Sequence, residues 1–152
     1  MEYSFFYGSI VVLWTILGVC MYFKTIKLKH LIIGITTIAY SLLYEVLLGE
    51  YLDLYYYIKD KESILYTLLA GILVYPILNI IYTLFLPKKT RPVLIYTGLW
   101  IIAMLIFEYL SLLTKTVVFT GWRMIPWSPL TYMVNYLWIY LFYRYLEKRI
   151  VS

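Results

Sequence analysis

Two glutamates interrupt long apolar runs, Glu45 in IAYSLLYEVLLGEY and Glu108 in AMLIFEYLSLL. An ionised carboxylate only accepts hydrogen bonds, and a protonated one also donates. The chemistry open to such groups is uptake of a proton, binding of a cation, or pairing with a basic ligand group. An acidic side chain near the middle of a bilayer costs about 2.5–3.5 kcal/mol, so it faces other helices or a wet cavity and counts first as a functional hypothesis. The competing reading is structural. Each glutamate is then neutral, or paired with Arg123, Lys115 or a tyrosine hydroxyl, and specifies helix packing.

The spacing makes the two a pair. Glu45 follows Leu31 by 14 residues and Glu108 follows Val93 by 15, and both runs start on the same side. At 1.5 Å per residue each carboxylate lies about 21–23 Å into the layer, at nearly one level. Held close with little water, two carboxyl groups do not both ionise readily, so one should hold its proton more tightly. The candidate site is Glu45 and Glu108, with Glu50 and Asp53 at its entrance. Ser41 and Asn135 are neighbouring polar groups, and Arg123 is a basic side chain within reach. Gly34, Thr37, Ser41, Glu45 and Gly49 recur at spacings of three and four, a small and polar stripe suited to close helix contact. Thr97, Met104 and Ser111 form a weaker stripe around Glu108, and Asn79 is a further polar group.

Composition names the solvent for these groups. Hydrophobic residues are 64% and charged residues 14% of the 152, against about 45–50% and about 25% in soluble chains. The reading is a single all-α domain over residues 1–152, a bundle of five membrane-spanning helices at about 4–23, 31–55, 64–86, 93–113 and 128–146. Nine basic residues (Lys24, Lys27, Lys29, Lys88, Lys89, Arg91, Arg144, Lys148, Arg149) flank one side and four (Lys59, Lys61, Lys115, Arg123) the other. The positive-inside rule then puts the N-terminus outside and the C-terminus in the cytoplasm of a multi-pass cell-membrane protein. These short basic clusters are topological and argue against a nucleic-acid partner. MEYSFF has no basic n-region and no cleavage site, so the first run is read as retained.

Pro87 and Pro92 are expected to stop helices on either side of Lys88–Arg91, and Pro76 to kink the third run and free a carbonyl one turn earlier. In the connector from Lys115 to Trp127, Gly121 permits a turn, and Trp122 and Trp127 suit a headgroup layer. Ser128 is expected to cap the last helix, with Pro129 as its first residue. Tyr55, Tyr56 and Tyr57 read as an interfacial anchor. Tyr132, Tyr136, Tyr140 and Tyr143 form a helical stripe that suits interhelical packing better than a cofactor box.

No catalytic set stands out. His30, the lone histidine, is placed in a turn without neighbouring ligands, so neither a metal nor a cofactor is expected. Cys20 excludes an internal disulfide, and Val19 before it argues against a lipoprotein cleavage box. The expected function is binding or conduction of a proton, cation or small cationic solute at an outward-facing acidic site. The alternative is a non-catalytic structural or interaction subunit. Either suits a homodimer or another membrane protein as partner, besides the bilayer itself.

Several short pieces carry a family likeness: Val74-Tyr75-Pro76, Phe85-Leu86-Pro87-Lys88, Trp100 with Phe107-Glu108-Tyr109, and Gly121-Trp122 with Trp127-Ser128. Over roughly residues 40 to 146 the chain resembles an uncharacterised family of small multi-spanning membrane proteins of spore-forming Bacillus- and Clostridium-type bacteria. The resemblance implies a Gram-positive cytoplasmic membrane and a multi-helix fold, and it implies no activity. The connector here is one residue longer between its tryptophans than the family pattern. Arg123 stands where a small polar residue such as Asn is usual, so no family role passes to it.

Overall fold

The computed structural model describes residues 1–58 and 63–150; Lys59 and Lys61, counted above for orientation, lie outside the described residues. The most enclosed helix is α4, Tyr75–Leu84, where every residue from Pro76 to Leu84 is buried. Around it stand α1 (Glu2–Phe23), α2 (Leu28–Tyr44), α5 (Thr90–Leu113) and α6 (Met124–Arg149), with α3 (Ser63–Leu69) leading into α4. Among the described residues four stretches are long and apolar enough to cross a membrane: Glu2–Phe23, Leu28–Tyr51, Ile64–Leu84 and Thr90–Leu113. The fifth apolar run also forms a helix, α6, but its tyrosines and closing charges leave it outside that group.

The small and polar stripe of α2 packs against α4. Gly34, Thr37 and Ser41 are buried, and a Cβ added at Gly34 would lie 2.9 Å from Ile80 Cδ1. The absence of a side chain at Gly34 leaves room for the Ile80 side chain to seat against α2.

Two helices change pitch. After Tyr44 the second continues as a π-helical segment, Glu45–Tyr51, and the third passes through another, Ala70–Val74, before α4. The expected kink at Pro76 takes this second form. The Tyr75 N–H bonds five residues back, to the Ala70 carbonyl. Gly71 would be next in that register, but its donor would be Pro76, which has no N–H. The Ser41 hydroxyl supplies the missing hydrogen bond to the Gly71 carbonyl at 3.0 Å.

Of the other prolines, Pro92 departs from expectation. Pro87 lies beyond the end of α4, but Pro92 is inside the first turn of α5 and is not a stop. Extended angles at Ile125 break the start of α6, so the regular helix runs from Pro126. Pro126 and Pro129 both fall among its first four residues, whose N–H groups have no partner within the helix. Ser128 is therefore not the cap; the extended Ile125 stands just before the regular helix.

The all-α expectation misses a small β ribbon. Strand β1 (Tyr55–Tyr57) pairs antiparallel with β2 (Val117–Phe119), Tyr56 opposite Val118, and Ile58 N–H extends the ladder to the Thr116 carbonyl at 3.0 Å. The Leu54 carbonyl accepts the N–H groups of Thr120, Gly121 and Trp122, each at 3.0 Å, and the Thr120 hydroxyl donates to the Asp53 carbonyl. Gly121 serves close approach here, since an added Cβ would lie 3.0 Å from Leu54 Cδ2. The ribbon thus clasps the connector after the second helix to the connector before α6.

At the opposite end Glu147 receives Lys29 at 3.0 Å and Arg144 at 2.8 Å. Arg144 also donates to the carbonyls of Pro87 at 2.9 Å and Lys88 at 2.7 Å. His30 lies in the first turn of α2, not in a free turn. It is buried, and its Nδ1 accepts the Lys27 N–H at 2.9 Å.

Candidate functional site

Glu45 opens the first π-helical segment and is only 3% exposed. The chain reverses over residues 52–54 and returns as β1, whose side chains alternate between faces. Tyr55 and Tyr57 therefore share a face, and it is turned to Glu45. The Tyr55 hydroxyl donates to Glu45 Oε2 at 3.0 Å and the Tyr57 hydroxyl to Oε1 at 2.9 Å. Behind Tyr57, at 2.7 Å, is the hydroxyl of Tyr75, the first residue of α4. Tyr55 and Tyr57, read above with Tyr56 as an interfacial anchor, also bind a buried carboxylate through their hydroxyls.

Glu108 is half-buried on α5 and forms a second cluster. Its Oε1 accepts the Ser128 hydroxyl at 2.5 Å and its Oε2 the Tyr132 hydroxyl at 2.8 Å. Ser128 and Tyr132 are four residues apart on α6 and so lie on one helix face. Ser128 Oγ also accepts Trp122 Nε1 at 3.0 Å, which turns that tryptophan inward. Trp127 remains exposed.

The two carboxylates share no hydrogen-bond partner. They meet through the ribbon clasp, where the Tyr55 ring lies edge-on to Trp122 with centroids 6.4 Å apart. The path from Glu45 to Glu108 is thus Tyr55, the ring contact, Trp122 and Ser128.

The other candidates sit apart. Glu50 and Asp53 are exposed, and Asp53 joins the clasp through its carbonyl. Ser41 is a turn before Glu45 and bonds Gly71, not the carboxylate. Asn135 Oδ1 accepts the Tyr40 hydroxyl at 2.8 Å. Asn79 donates to that same hydroxyl at 2.7 Å and to Thr37 Oγ1 at 3.1 Å, a separate network joining α2, α4 and α6. Arg123 is exposed, and the ion pairs among the described residues all involve Glu147. No buried side-chain nitrogen or oxygen among the described residues lacks a partner. Both carboxylates are therefore satisfied by neutral donors, without a basic side chain.

Donor counting separates the two clusters. The indole N–H of Trp122 can only donate, so Ser128 must accept from it and spend its one proton on Glu108. This wiring keeps Oε1 of Glu108 an acceptor, while Oε2 meets the Tyr132 hydroxyl, which can accept as well as donate. The Tyr57–Tyr75 bond can run in either direction. If Glu45 takes up a proton and donates it to Tyr57, Tyr57 can turn its own hydrogen to Tyr75. The Tyr75 hydrogen then needs an acceptor in turn, and the Glu45 carboxyl, which Tyr75 also reaches, is the one at hand.

Sequence reasoning singled out both glutamates but missed Tyr55, Tyr57 and Tyr75 as partners of Glu45. The alternation of Tyr55 and Tyr57 was the available signal. For Glu108 the signal was the spacing of Ser128 and Tyr132. Comparison of the chain with known protein families, with curated proteins and with solved structures finds no match.

Proposed function

We propose that the chain is an integral membrane protein that binds a proton at Glu45, close to the outer surface, with Glu108 as a second carboxylate. The observation that carries this reading is the coordination of Glu45: at 3% exposure, both of its oxygens accept tyrosine hydroxyls. A proton needs no further room, whereas a metal cation or a cationic solute would have to displace those donors. The reading includes the five-span arrangement with the N-terminus outside, in a Gram-positive cytoplasmic membrane as the family resemblance implies. Infrared difference spectroscopy across a pH titration in lipid nanodiscs tests it directly. The wild type and Glu108→Gln should show a titrating protonated-carboxyl band that Glu45→Gln lacks. A band unchanged in Glu45→Gln would refute the assignment.

A second reading, an interaction subunit or homodimer, is favoured by the outward face of α1. A Cβ added at Gly8 or Gly18 would meet nothing within 4 Å, so a partner helix has space to approach closely. Crosslinking in native membranes that returns only monomer would exclude it.

A further inference from the structure

We propose that a groove beside the β ribbon binds a phospholipid whose headgroup carries both a phosphate and a primary amine, as phosphatidylethanolamine does. The phosphate would lie on Lys115 and the ammonium on Glu2. The groove has a volume of about 560 Å³ and is lined by Glu2, Tyr56, Leu112, Lys115, Val117 and Phe119 among others. Tyr56 is the ribbon tyrosine facing away from the Glu45 side, so the groove is separate from the carboxylate clusters.

Charge complementarity chooses the occupant. Glu2 and Lys115 line one groove, yet they form no ion pair with each other or with another described residue. Opposite charges held apart fit a ligand with the reverse pair, a phosphate for the ammonium and an ammonium for the carboxylate. The walls around them are apolar and aromatic, which suits the glycerol and upper acyl region. Position points the same way. The groove lies where α1 begins and α5 ends, two of the helices long and apolar enough to cross a membrane. The Thr116 hydroxyl fixes this junction by donating to the Glu2 carbonyl at 3.1 Å. Below it α1 and α5 touch through the Phe5 and Phe107 rings, centroids 6.0 Å apart, a seam along which acyl chains can run.

The inference rests on the membrane reading but not on proton binding at Glu45. The test is native mass spectrometry of the full chain released from nanodiscs with equal phosphatidylethanolamine, phosphatidylglycerol and phosphatidylcholine. Wild type should retain the ethanolamine lipid preferentially. Glu2→Gln should lower its ratio to the glycerol lipid about tenfold, the loss of one charge-assisted hydrogen bond. Lys115→Gln should lose both phospholipids. Retention of no lipid, a wild-type preference for the glycerol lipid, or identical behaviour of both variants would overturn the proposal. Liposome flotation of the same samples separates the two readings. A chain that floats yet retains no lipid sinks the groove alone, and one that does not float sinks the membrane reading with it.

Discussion

Replacing Ser41 with alanine should expose how the π-helical segment before Pro76 is held. The Ser41 hydroxyl is the one donor supplied to the Gly71 carbonyl, because Tyr75 N–H goes to Ala70 and Pro76 has none. Gly71 is buried, and so is Ser41 at 5% exposure, so water does not replace the bond. Leaving a buried acceptor unpaired costs about 1–3 kcal/mol. The single Ser41 hydrogen has the Ile38 carbonyl at 3.2 Å as its other acceptor, but that carbonyl, inside a helix, has its own backbone donor and loses little when the hydroxyl is removed. Pro76→Ala restores an N–H. In the π register it reaches Gly71; if the turn relaxes to α pitch, Tyr75 N–H does so instead. Either way Ser41→Ala should cost less in the Pro76→Ala background, by about 1–2 kcal/mol. The assay is denaturant unfolding in detergent micelles, followed by circular dichroism for the four members of the cycle. Additivity within about 0.5 kcal/mol would show that the hydroxyl does not stand in for the missing N–H, and the reasoning would fail.

Tyr57→Phe should destabilise the protein by about 1–3 kcal/mol, more than Tyr56→Phe, because it strips a donor from the buried Glu45; the same unfolding assay decides the order. Gly121→Val should loosen the clasp, since its side chain would collide with Leu54, and should speed amide hydrogen exchange at Tyr55 and Tyr57 relative to α4. Glu147 provides a pH test outside the bundle interior. Burial alone would raise its carboxyl, but hydrogen bonds from Lys29 and Arg144 outweigh this and hold it below the usual carboxylate range. A lowered folded-state value means stability that is present above the unfolded value and lost as acidification passes the folded one. Glu147→Gln should flatten that acid loss, by at most about 1 kcal/mol because the pair is partly exposed, as read from unfolding midpoints across pH.

The sequence alone determined where long apolar helices run and which polar residues α2 turns inward, because both follow from composition and the helical period. Gly34, Thr37, Ser41 and Glu45 are legible as one stripe for that reason, and the two glutamates stand out because their cost in an apolar layer is a property of each residue. The partners of those glutamates belong to the tertiary structure. In a strand of three residues the alternation of Tyr55 and Tyr57 is a weak signal, so they looked like surface aromatics until β2 paired with them. The π-helical segments left no pattern either, although Pro76 marked where a carbonyl would need a donor. Ser128 looked like a cap because its neighbours resemble a helix start, and only the packing of α5 against α6 brought Glu108 to its hydroxyl. Solvent preference and helical period add up residue by residue along the chain. Hydrogen-bond pairing depends on which distant segments the fold sets within 3 Å of each other, and that requires the chain reversals of the ribbon clasp.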